Sequence, residues 1–95
     1  MLVGYILAEA REASGRSEQR HALQRAGCRD IVEETASADG NEQPELQRLF
    51  GRLHRGDVVV VARLGALGPS LEDVVRSMDA IEAAGLGFRS LREVG

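Results

Sequence analysis

The stretch that most limits what this chain can fold into is Val58-Val-Val-Val61, four β-branched apolar residues with Gly56 ahead and Gly65, Gly68 and Pro69 behind. The run is far too short to span a membrane, and it lacks the apolar–polar alternation of a strand with one wet face. It suits a strand covered on both faces, as in a parallel sheet under helices. Past the glycines, Ser70 opens a helix with Asp73 three residues later, the arrangement of a capping box. The unit is a central strand, a loop from Arg63 to Pro69 at its C-terminal end, and a helix start. In open α/β folds that crevice is where ligands and catalytic groups sit.

The rest of the chain alternates around this unit. Leu2 to Ala8 reads as a first strand, and Glu9 to Ser17 as a polar loop or frayed helix start. A short helix from Ser17 carries Ala22, Leu23 and Ala26, has Glu18 in its first turn, and ends at Gly27. Asp30-Ile-Val-Glu-Glu34 is a brief second strand, followed by a mobile surface loop from Thr35 to Gln43 with a turn at Asp39-Gly40. Pro44 starts the next helix, with Leu46, Leu49, Phe50 and Leu53 on one face. The helix from Ser70 puts Leu71, Val74, Val75, Met78 and Ile81 on one stripe and stops at Gly85. Leu86 to Leu91 is a fourth strand. The β-α-β-α-β-α-β order predicts an α/β three-layer sandwich with a mostly parallel sheet and right-handed crossovers.

Ninety-five residues form one domain, 1–95, near the lower end of what buries a self-sufficient core. The formal net charge of -3 argues against strong nucleic-acid binding by this domain alone, because phosphate binding needs a basic surface. One cysteine, Cys28, has no intramolecular disulfide partner, which fits a reducing cytoplasm. His21 and His54 have no further ligand at metal spacing, so neither a metal nor another cofactor is expected. No secretory leader or membrane span is expected either.

The loop from Arg63 to Pro69 has two readings. Its glycines permit a tight turn; alternatively, Arg63 and the free amides at the Ser70 helix start cradle a small anion or nucleotide. Neither G-x-G-x-x-G nor G-x-x-x-x-G-K-[ST] is present. Glu9 lies at the end of the first strand without an acidic partner at the Val61 strand end, where a phosphoacceptor would need one and Ala62 stands instead. Ser14, Ser17, Ser37 and Ser70 lack a recognisable activating base; Ser70 reads as a cap and Ser37 as a loop hydrogen-bonder.

Several stretches in order carry a resemblance: Gly4-Tyr5, Gln19-Arg-His-Ala-Leu-Gln-Arg-Ala-Gly-Cys28, Ala36-Ser37, Pro44-Glu-Leu46, Arg55-Gly-Asp-Val-Val-Val-Val61, Leu67-Gly68, Ser70-Leu71 and Gly87-Phe-Arg-Ser-Leu91. Together they resemble the N-terminal catalytic domain of the serine recombinases of the resolvase/invertase type. That resemblance implies the resolvase-like fold and descent from enzymes that cut and rejoin DNA through a covalent phosphoserine, with arginines stabilising the phosphate. It also implies what is missing. Where the family's first strand runs Gly-Tyr-Ala-Arg-Val-Ser, this one runs Gly4-Tyr-Ile-Leu-Ala-Glu9, so Leu7 replaces an arginine and Glu9 the nucleophile. Gln43 replaces the arginine before Pro44, while Ser37 matches the family's loop serine. Where the family reads Lys-Leu-Asp-Arg-Leu-Gly-Arg-Ser, Arg63 to Ser70 puts Gly65, Ala66 and Pro69 in place of the aspartate and two arginines.

The expectation is a catalytically inactive resolvase-like domain serving as an interaction or regulatory module, with itself or an active recombinase as protein partner. The family continues into a long dimerisation helix and a DNA-binding helix-turn-helix domain, neither of which is expected within 1–95. Two rivals stand beside this: a divergent active recombinase, with Ser14 or Ser17 displaced into the nucleophile's role, and a small anion- or nucleotide-binding domain using Arg63 and Ser70.

Overall fold

A computed structural model describes residues 1–37 and 42–92. Four strands, β1 (Leu2–Ala8), β2 (Asp30–Thr35), β3 (Val58–Arg63) and β4 (Gly87–Arg92), form one all-parallel sheet in the order β2-β1-β3-β4. The three α-helices are α1 (Ala13–Arg25), α2 (Pro44–Arg52) and α3 (Leu71–Ala83). The α/β three-layer architecture is as expected, and so is the position of the valine run. Val59, Val60 and Val61 are all fully buried, with alternate residues serving opposite faces. Val59 and Val61 join Val3, Tyr5, Leu46, Leu49, Val74 and Ile81 under α2 and α3. Val60 joins Ile6, Ala8, Leu23 and Cys28 under α1. A helix layer therefore lies on each side of the sheet.

Three local expectations need correction. First, α1 begins at Ala13, four residues before Ser17, and Glu18 is not in its first turn. Its start uses no side-chain cap from Ser17. Instead Glu12 accepts the Glu9 N–H (3.1 Å), and Arg16 donates to the Glu9 carbonyl (2.8 Å), so a charged pair of residues secures the first turn. The end is as read: Gly27 has φ +98, a left-handed conformation suited to glycine, and the Gly27 and Cys28 N–H groups close onto the Gln24 and Leu23 carbonyls.

Second, the stretch after β3 is not a plain loop but a 3-10 turn, Leu64–Leu67, which buries Ala66 and Leu67. Third, the apolar stripe of α3 does not all enter the core. Val74, Ser77 and Ile81 face inward, Ser77 Oγ donating to the Leu67 carbonyl (2.9 Å), whereas Leu71, Val75 and Met78 remain 77%, 49% and 37% exposed. The Asp39-Gly40 turn lies outside the described residues. Among the described residues no helix is long and apolar enough to cross a membrane.

Candidate functional site

The strand order reverses between β1 and β3, so the crevice at their C-terminal ends is the natural site in this topology. What occupies it is a buried hydrogen-bond network rather than a cluster of free cations. The Glu34 carboxylate, on β2 and only 5% exposed, accepts from the Tyr5 hydroxyl at 2.6 Å. The same carboxylate accepts from the Glu45 N–H at 2.8 Å and the Leu46 N–H at 3.2 Å. Pro44 begins α2 with no N–H to satisfy, and Glu34 takes up the next two amides from a neighbouring strand, where the helix dipole also favours a negative charge. Burial first, and then the hydrogen bond to Glu34, push the Tyr5 hydroxyl well above the ordinary phenol range.

Gln43 closes the network from above. Its Nε2 donates both to the Tyr5 hydroxyl (3.0 Å) and to the Ala66 carbonyl (2.9 Å), tying β1, the start of α2 and the 3-10 turn together. An amide nitrogen has two hydrogens, and both are used. Leu7 packs against the core on the α2–α3 side. Ala66 is buried, and Pro69 is an exposed residue ahead of α3. Glu9 is exposed just past β1, its N–H and carbonyl engaged in the turn that starts α1. Ser37 Oγ accepts from the Glu42 N–H (3.3 Å).

The two residues read as a possible anion cradle are not brought together. Ser70 caps α3, accepting from the Asp73 N–H (3.2 Å) and donating to the Asp73 carboxylate (2.7 Å). In a capping box the third residue reaches back to the cap's backbone; here Asp73 holds the hydroxyl instead. Arg63, exposed at the end of β3, lines a groove shared with α1 on the opposite side of the sheet. Ser14 and Ser17 lie on exposed positions of α1. His21 and His54 are exposed as expected. Cys28 is buried, and burial pushes its thiol up, away from the reactive thiolate. Among the described residues no cluster of His, Cys, Asp and Glu could hold a metal ion.

Sequence reasoning missed the role of Glu34 and the link from Tyr5 to Gln43. The available signal was a second consecutive acidic residue at the end of a strand otherwise destined for burial, with a proline-led helix ten residues on.

The profile of the family "Resolvase, N terminal domain" matches residues 8–95. A DNA-invertase of Enterobacteria phage P7 is 38% identical over 93 residues, covering 98% of this chain and 50% of that protein. The serine recombinase gin of Escherichia phage Mu is 34% identical over 93 residues, covering 98% of this chain and 48% of that protein. The DNA-invertase hin of Salmonella typhimurium is 33% identical over 75 residues, covering 79% of this chain and 40% of that protein. The chain spans about half the length of the curated relatives it matches. With the four-stranded parallel sheet and near-complete coverage by the family profile, the chain belongs to the resolvase N-terminal domain family of serine recombinases.

Proposed function

We propose that this resolvase-family domain is catalytically inactive and works by binding another protein, either a second copy or an active recombinase. The observation that carries the first half is Gln43. At a position where the family resemblance calls for an arginine, a neutral amide is committed through both hydrogens to Tyr5 and Ala66, leaving no donor for a phosphate. Leu7, Ala66 and Pro69, at the other arginine positions, carry no charge, and Glu9 stands for the nucleophile. A carboxylate about 4 Å from a phosphate oxygen repels it by about 4 kcal/mol at an effective dielectric of about 20. A net charge of -3 gives this domain little attraction for DNA.

The second half is supported by α3. Leu71, Val75 and Met78 form an exposed apolar ridge at i, i+4, i+7, a spacing that lets one helix pack on another. The expected measurement is self-association that dissolves on dilution, or capture of an active recombinase, in sedimentation velocity and pull-down with the intact protein. Leu71→Glu with Val75→Glu should abolish it. A strict monomer at high concentration that also captures no recombinase would overturn the interaction reading.

A further inference from the structure

On the other side of the sheet, the N-terminal half of α1 and the C-terminal ends of β3 and β4 enclose a groove of about 370 Å³. Ala22, Ala62 and Leu91 are its apolar lining, and Arg63 and Arg92 line it at the strand ends. These arginines are register partners in the parallel β3–β4 ladder, both exposed, and neither guanidinium has an ion pair or hydrogen bond among the described residues. Like charges directly opposite one another across a ladder are unfavourable, and a bound anion relieves that repulsion.

The helix wall carries a second, independent signal. Gln19 lines the groove and is only 8% exposed; its Nε2 donates to the Leu7 carbonyl (3.2 Å), but its buried Oε1 has no donor. Buried polar atoms are nearly always hydrogen-bonded, so an orphan acceptor beside a cavity marks a missing donor. Glu12, half-buried, and Glu18, exposed, are further acceptors on the same wall.

We propose that this groove binds a small phosphate monoester whose body carries N–H or O–H donors, of nucleoside-monophosphate size. The phosphate lies with Arg63 and Arg92, the body rests on Ala62 and Leu91, and a donor on the body supplies the bond that Gln19 lacks. Charge-assisted bonds from two guanidinium groups suit a dianionic phosphate, and the volume is that of an ordinary small-molecule site. The site lies across the sheet from the α3 ridge, so loss of ligand binding leaves any protein association intact, and the two proposals fail separately.

The test is calorimetric titration of the intact protein with adenosine monophosphate, inorganic phosphate and adenosine. The nucleotide should bind more tightly than phosphate, adenosine should not bind, and added salt should weaken both anions. Arg63→Gln with Arg92→Gln, two exposed changes compatible with folding, should weaken the nucleotide at least tenfold. Gln19→Leu should remove the preference for nucleotide over phosphate. No binding at millimolar ligand, an affinity unchanged in the double arginine variant, or adenosine binding as tightly as its phosphate would overturn the proposal. So would equal affinity for a short single-stranded DNA without a terminal phosphate, which would transfer the site to a nucleic-acid backbone.

Discussion

Replacing Glu34 by alanine should be the most damaging single change in the crevice. The carboxylate accepts from the Tyr5 hydroxyl (2.6 Å), the Glu45 N–H (2.8 Å) and the Leu46 N–H (3.2 Å). Tyr5 and Leu46 are essentially fully buried, so their donors find no water when the acceptor goes. Each buried donor left unsatisfied costs about 1–3 kcal/mol, and the two together give a loss of about 4 kcal/mol. The Glu45 N–H, in a half-buried residue, adds little. A domain of this length has a total stability of about 5–14 kcal/mol, taking about 0.05–0.15 kcal/mol per residue. Glu34→Ala therefore removes about a quarter or more of it and lowers Tm by about 15–30 °C, at about 4–8 °C per kcal/mol for a domain of this size. Urea titration and thermal melts followed by circular dichroism measure both quantities. Glu34→Gln, which keeps one acceptor oxygen, should fall between. Stability of Glu34→Ala within about 0.5 kcal/mol of the parent, the range of an ordinary surface change, would refute the assignment of Glu34 as the keystone of this network.

Two further perturbations follow from the same geometry. The folded state raises the Tyr5 pKa, so it favours the protonated phenol; that contribution is intact below about pH 10, the unfolded value, and is lost as pH rises beyond it. Thermal melts from pH 8 to 11 should show an alkaline loss of stability that Tyr5→Phe, itself less stable at neutral pH, no longer shows; parallel curves would contradict this. A Cβ added at Gly68 would lie 2.5 Å from the Asp73 Cβ and 3.1 Å from its carbonyl carbon, whereas one at Gly51 in α2 meets nothing within 4 Å. Gly68→Ala should cost about 1–3 kcal/mol through overpacking, and Gly51→Ala should gain about 0.5–1 kcal/mol through helix propensity; denaturant titrations giving the same sign for both would contradict the packing of the turn against α3.

The frame was legible because its signals are local and redundant. Val58 to Val61 needs cover on both faces whatever surrounds it, and Pro44 and Gly27 mark helix limits through their own backbones. The start of α1 was not legible, because Glu12 and Arg16 secure it by bonds to the Glu9 backbone that carry no cap signature. The α3 ridge misled for a different reason. A period of 3.6 gives a wide apolar stripe, but only the sheet and the 3-10 turn decide which part of it is covered, and they cover Val74, Ser77 and Ile81. The site was half legible. The unusual residues at Leu7, Glu9, Gln43, Ala66 and Pro69 stand out by resemblance to the family. The use made of Gln43 rests on a contact with Tyr5, 38 positions away in sequence, and one with Ala66, 23 away. Such pairs become neighbours only once the sheet order is fixed.

Whether this domain joins itself covalently to DNA is the most direct measure of the account. The intact protein is incubated with DNA carrying the recombination site of a related invertase, quenched in detergent and separated on a denaturing gel, with that invertase as the positive control. With Gln43 spent on Tyr5 and Ala66, the protein should give no shifted band, and Glu9→Ser alone should not create one. A protease-sensitive shifted band from the unaltered protein would mean that a nucleophile operates here, and would contradict the reading of this site as inactive.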